Sequence, residues 1–167
     1  MVATELMEVT MEKLFVVIVL LFAALATGGL IINWIGLGHA MARLPVSADV
    51  EFHQDTNHTF DPYMPIVMIG ALAGGVALAV LYGVHSIPGQ LSVAGAACHA
   101  LVIIIGVPTC VRINHQIEAW SIQNLPPEWA QVRARWIRFH IIRTLFSVPA
   151  FAAYAVAAIS NTSRWLS

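Results

Sequence analysis

Charge is what this sequence has least of. Only 10% of its 167 residues are Asp, Glu, Lys or Arg, whereas soluble domains carry about 25%. Hydrophobic residues make up 59% of the chain, and its mean hydropathy is +0.78. A chain this poor in charge has too little polar surface to face water all round. It reads as one integral-membrane domain over residues 1–167, with the lipid bilayer as its main partner. Basic side chains number eight and form no run, which excludes nucleic acid as a partner. Cysteine is scarce as well. Cys98 and Cys110 fall in one apparent helix, about 18 Å apart by helical rise, and a disulfide requires Cα atoms within about 7 Å. Missing too are a Gly-rich phosphate loop, a Gly-x-Ser-x-Gly elbow, a Cys-x-x-Cys pair and a Cys-x-x-Cys-His haem attachment. Their absence leaves no nameable nucleotide site, serine nucleophile or covalent haem.

What the sequence has instead is long apolar runs. They predict an all-α, four-transmembrane-helix bundle with spans at about 14–37, 64–82, 91–111 and 139–159. Ala24-Leu-Ala26 resembles a signal-peptide cleavage site. However, the preceding residues carry Glu5, Glu8 and Glu12, and the apolar run outlasts an h-region of about 7–15 residues, so the first span is read as retained. A long loop is expected from Leu44 to about Pro62, dense in ligand-type side chains. His85-Ser-Ile-Pro-Gly89 reads as a type II turn, and Pro108 as a kink in the third span. Pro127 reads as the first residue of an amphipathic extension leading into the fourth span. Four spans put the termini on one side of the membrane. Lys13 and Arg164 on that side, against Arg43, Arg112, Arg133, Arg135 and Arg138 on the other, favour cytoplasmic loops. Gly28, Gly70 and Gly74 offer close-contact surfaces, on which a homo-dimer or trimer could form.

Three constellations carry candidate chemistry. In the loop, His53, His58 and Asp61 are of metal-ligand type, and His58 could serve a haem as axial ligand. A solvated interfacial loop is the plain alternative. In the third span His99, Cys110 and Asn114 repeat at near-helical spacing, where a buried histidine needs a partner. The third constellation is the stretch Trp129–Arg143. At about 100° per residue, Arg133, Trp136, His140 and Arg143 share one helical face, and that polar stripe runs on into an apolar span. Lipid cannot satisfy such donors, so they must face protein or water. Arg133, His140 and Arg143 could therefore hold an anionic or phenolate oxygen, with His140 as proton acceptor. Arg135 and Arg138 read as interfacial residues touching lipid headgroups.

Three motifs carry a family resemblance: Arg112-Ile-Asn114-His-Gln-Ile-Glu-Ala-Trp120, Pro126-Pro-Glu-Trp129 and Arg133-x-Arg-Trp136-x-Arg-Phe-His140-x-x-Arg143. Together they are similar to the carboxyl-terminal half of the anthrone oxygenase-like membrane proteins. The amino-terminal half matches loosely, around Phe52-His-Gln54 and Met64-Pro65. The resemblance implies a small four-helix protein with functional residues at Asn114, Trp120, Trp136, His140 and Arg143. It also implies oxygenation of an anthrone-type substrate without a recognised cofactor. A weaker architectural likeness, to styrene oxide isomerase, implies haem b held by a histidine just before the second span, where His58 stands here.

Three functional readings follow. The leading one is a membrane-embedded oxidoreductase acting on a small hydrophobic aromatic or phenolic substrate. In it His140, Arg143 and Asn114 are catalytic, and Trp120, Trp136 and Arg133 bind substrate. The second is a haem b or transition-metal enzyme, such as an epoxide isomerase, built on His58. The third is a non-catalytic membrane subunit.

Overall fold

Each of the apolar runs is helical in the computed structural model, which describes residues 2–41 and 43–161. Helix α1 comprises Val2–Ile31, a π-helical turn Ile32–Leu37 and a last turn Gly38–Met41. Helix α2 is Val46–Phe60 and helix α3 is Met64–Tyr82. Helix α4 runs Ile87–Gly106, through a π-helical turn at Val107–Val111, to Arg112–Glu118, and helix α5 is Trp129–Ser160. Four of these, all but α2, are long and apolar enough to cross a membrane. The 19 residues of α3 span about 28 Å at 1.5 Å per residue, close to the hydrocarbon thickness of about 30 Å.

Three local expectations are corrected. The long loop is helix over most of its length. Its polar composition hides a stripe at helical spacing, and Asp49, Val50, His53 and Asn57 are the residues that α2 buries. The Pro88-Gly89 pair forms no type II turn. Ser86 caps α4, accepting from the Gly89 backbone N–H at 3.0 Å, so Pro88 and Gly89 lie in the first helical turn. The residue that reverses the chain there is Gly83, at φ 81°. Pro127 precedes α5 rather than opening it, because Pro126 to Trp129 form a turn closed by a 3.1 Å backbone bond. Helix α4 runs on past Pro108, the residue read from the sequence as a kink, to Glu118. That proline sits in the π-helical turn, where the widened backbone absorbs the hydrogen bond that proline cannot donate. Arg164 and the polar tail from residue 162 onward fall outside the described residues.

The four long helices form a ring of antiparallel neighbours, α1–α3–α4–α5 and back to α1. Small residues let them close. A Cβ at Gly70 would meet the Phe22 ring at 2.7 Å, and one at Gly74 would meet Val19 at 2.7 Å. Both glycines are therefore occupied by packing within this chain, while Gly28 faces open space. At the terminal end the core is apolar around Val16, Val19, Leu78 and Ala157, and the Asn161 amide donates to Glu12 at 3.0 Å. At the opposite end the helices part, and α2 packs across them through Val50, which joins Ile113, Ile117 and Val132.

Candidate functional site

Where the helices part they leave a cavity of about 220 Å³, walled by all five helices. Much of the wall is apolar, from Leu30, Met68, Ile103 and Val107, and its polar groups gather at His53, Asn57, Asn114, His140 and Arg143. A mostly apolar pocket with a few convergent polar groups is the usual form of a small-molecule site.

The wall is organised around Trp136. One face of its indole stacks on the His140 ring at 4.7 Å between centroids, and His53 meets it edge-on at 4.9 Å. Its Nε1–H donates to Asn114 Oδ1 at 2.7 Å. An indole can only donate, so the amide oxygen of Asn114 must be the atom that faces it. The same oxygen lies 3.3 Å from His53 Nε2, which must then carry the proton. Asn114 thus spends its carbonyl on two aromatic neighbours and keeps only its NH₂ for anything else.

His140 is 4% exposed, and its Nε2 lies 3.1 Å from the Leu30 carbonyl oxygen. A carbonyl only accepts, so Nε2 holds the proton and Nδ1 carries the lone pair. That Nδ1 has no partner. The π-helical turn of α1 starts two residues after Leu30, and such turns loosen the backbone register that would otherwise tie up nearby carbonyls. One turn further along α5, Arg143 is 9% exposed. Its one recorded bond is from Nη2 to the Met68 thioether at 3.4 Å, and Nε has no partner. No carboxylate pairs with it among the described residues. Gly106 makes room for the guanidinium, since a Cβ there would lie 2.6 Å from Nε. A buried cation facing a soft sulfur and no counter-charge suits an anionic or developing-anion ligand.

Helix α2 is fastened over this end by side chains. Asp49 Oδ2 pairs with Arg133 Nε at 2.7 Å, and the Gln54 amide donates to the carbonyls of Ile117 at 2.9 Å and Trp120 at 3.1 Å. Burial pushes the Asp49 carboxyl up despite the pull of Arg133, and Asp49 Oδ1 is left without a partner. Burial likewise holds the His53 imidazole below its ordinary range, with the Asn114 bond opposing. Asp61, at the cavity rim, is pushed up by loss of solvation and by Glu118.

Of the residues singled out in the sequence, Asn114, Trp136, His140, Arg143 and His53 line one cavity, with Asp61 at its edge. Arg133 and Trp120 do not reach it. They border a shallow cleft with Asp49 and Trp129, because Arg133 is held by Asp49 and Trp120 packs with Val50 and Val132. The trio His53, His58 and Asp61 does not assemble as a ligand set, and no group of three potential metal ligands occurs among the described residues. On α2, His53 is turned inward while His58 is exposed and lines no part of the cavity. A haem held through His58 would lie outside the cavity. His99 also stands apart, stacked on Tyr154 at 5.8 Å with both ring nitrogens unpartnered. Sequence reasoning overlooked the Leu30 carbonyl and Met68, and did not single out Asn57 as a site residue. Asn57 shares a helical face with His53 in the sequence, and α2 buries both.

The fold and cavity define a small all-α protein with four helices long and apolar enough to cross a membrane, and a pocket at one end of the bundle. The sequence pattern of the anthrone oxygenase family matches residues 60–153, a stretch that contains α3, α4 and the site-bearing part of α5. The chain belongs to the anthrone oxygenase family. Neither the curated proteins nor the solved structures yield a match.

Proposed function

We infer that this protein is a membrane-embedded oxygenase that converts an acidic ring CH₂ of a small aromatic ketone or phenol into a carbonyl, as in anthrone to anthraquinone. The observation that carries the reading is the pairing of His140 and Arg143 on one wall of a largely apolar cavity. His140 offers an unprotonated, unpartnered Nδ1, and Arg143 is a buried cation without a counter-charge. His140 Nδ1 takes a proton from the CH₂, and the electron pair moves onto the substrate oxygen as a phenolate-type anion. Arg143 stabilises that anion, and the Asn114 NH₂ is free to add a second donor. The electron-rich anion reacts with molecular oxygen at the deprotonated carbon. Loss of water from the resulting hydroperoxide gives the ketone. The balance is R₂CH₂ + O₂ → R₂C=O + H₂O, in which the carbon loses four electrons and O₂ gains them. Trp136 serves as the flat apolar wall and keeps His140 in place by stacking.

The test uses the purified protein in lipid vesicles with anthrone, following anthraquinone absorbance and oxygen consumption above the protein-free rate. One O₂ should be consumed per anthraquinone. His140→Ala should lower the rate by about a hundredfold or more, the usual weight of a general base, while helical content and melting stay near wild type. A His140→Ala protein that turns over at the wild-type rate would sink the assignment.

A further inference from the structure

The residues that wall the cavity differ sharply in exposure, and the exposed ones lie together. Those supplied by α1 and α5 are buried or half-buried. The exposed ones are Phe60 at 42%, Ile69 at 60%, Val107 at 58% and Val111 at 38%, along with Asp61 and Pro65. They fall on two neighbouring segments, the corner from α2 into α3 and the π-helical turn of α4. Ile69, Val107 and Val111 also lie within membrane-spanning segments. Ile69 is the sixth residue of α3, about 8 Å along it at helical rise, so the rim descends from the headgroup level into the hydrocarbon. Asp61, its one charged member, stands at the shallow end, before α3 begins. A side chain that is both exposed and apolar at that depth faces acyl chains.

We propose that the cavity opens sideways into the bilayer through a portal between α3 and α4, rimmed by Ile69 and Val107. Its ligand arrives dissolved in the membrane, as a neutral and mostly apolar molecule with its single polar edge leading. This rests on the functional reading only for the identity of the ligand. The opening itself is a matter of exposure and depth. The π-helical turn of α4 contributes to it, because its wider coil thickens and reshapes the helix at Val107–Val111. His140 stands on the far wall beside the Leu30 carbonyl of α1, while the Arg143 guanidinium reaches from α5 to Met68 and Gly106, just inside the rim, where a leading oxygen would meet it first. The nearly neutral rim also explains how an unpaired arginine stays unpaired. Lipid phosphates remain at the headgroup level, above the apolar part of the opening.

The experiment reads access rather than turnover, so its failure is separable from failure of the oxygenase reading. A cysteine is placed on the cavity wall (Met68→Cys) in a background with Cys98→Ala and Cys110→Ala, in lipid vesicles. Its labelling is timed with N-phenylmaleimide, which dissolves in lipid, and with a charged maleimide confined to water. Labelling by the lipid-soluble reagent should be fast and should slow at least tenfold when I69F and V107F fill the rim. V80F and V93F, on exposed faces of the same helices away from the cavity, should leave it unchanged. Equal labelling with and without the rim substitutions, or labelling by the charged reagent at a comparable rate, would overturn the portal. Should anthrone oxidation fail while the rim effect holds, the portal stands and only the reaction is lost.

Discussion

The long helices bury two histidines, and the surroundings of the two differ. His99 and His140 are 0% and 4% exposed, and both sit on the inner face of a long apolar helix. His99 lies in the packed half of the bundle, face to face with Tyr154, and neither of its nitrogens nor the tyrosine hydroxyl has a partner. His140 lies where the helices part. A backbone carbonyl fixes one nitrogen, an indole fixes the ring plane, and the other nitrogen is left with a lone pair. Burial of a polar group is common to both and therefore diagnostic of neither. Space beside the group and a defined proton position separate a candidate base from a packed ring.

The sharpest way to break this comparison is to delete each ring in turn. His140→Ala should cost about a hundredfold or more in anthrone turnover. His99→Phe keeps the stack on Tyr154, so turnover should stay within about twofold, and removing an unsatisfied buried polar ring should leave stability unchanged or raise it by about 1 kcal/mol. Both rates come from one vesicle assay. A large loss in His99→Phe beside a mild one in His140→Ala would invert the assignment. The next largest effect separates the two halves through glycine. A Cβ at Gly75 would overlap the Tyr154 hydroxyl, whereas one at Gly106 would press on the Arg143 guanidinium. Gly75→Ala should therefore destabilise by about 1–3 kcal/mol through overpacking, read as a lowered melting midpoint. Gly106→Ala should instead move a flexible side chain, lowering turnover by roughly tenfold, about 1.4 kcal/mol of barrier, with little change in melting.

Periodicity carried much of the fold in the sequence and little of the site. The apolar runs located all four long helices, because a membrane span must be long, apolar and self-bonded. The stripe Trp136, His140 and Arg143 was readable for the same reason, since polar groups entering a span need somewhere to point. Helix α2 was misread because composition and period disagreed there. Its ligand-type residues suggested a loop, while Asp49, Val50, His53 and Asn57 kept helical spacing. Arg133 fell on the right face of its helix but met Asp49, a pairing that depends on where α2 lies and cannot be counted along the chain. The Leu30 carbonyl left no trace at all, because every residue has one and only tertiary placement makes it the fixed acceptor of a histidine.

A smaller effect tests whether Trp136 positions His140 through Asn114. Asn114→Ala removes the acceptor shared by Trp136 and His53, leaving an indole N–H to find another partner. Turnover should fall by roughly tenfold, the equivalent of one net hydrogen bond of about 1–1.5 kcal/mol. Asn114→Asp keeps an oxygen toward the indole and should recover the Trp136 fluorescence maximum, which the alanine variant shifts. Recovery of that maximum without recovery of rate would assign the lost activity to the NH₂ instead, as a donor to the substrate oxygen.

The smallest effect concerns the contrast between α2 and the long helices, since polar side chains share with Val50 the attachment of α2. His53 titrates below its ordinary value of 6.5, first because burial disfavours the imidazolium. The folded protein therefore binds fewer protons at His53 than the unfolded chain does. Its contribution is fully present above the unfolded value and is lost as pH falls below 6.5 through the folded one. Asp49 and Asp61 have the opposite sign. Their raised values let the folded state hold protons more tightly, so their part of the stability fades as pH rises from the ordinary carboxyl value of 3.8. Between pH 6.5 and 5 the histidine should dominate, and α2 should loosen first, being the element whose attachment includes His53. Hydrogen exchange across Val46–Phe60 should accelerate on acidification while exchange within Met64–Tyr82 stays slow. His53→Gln, which has no titrating ring, should flatten that response. An equally steep acid response in His53→Gln would shift the pH sensitivity of α2 away from His53 and onto the groups that remain.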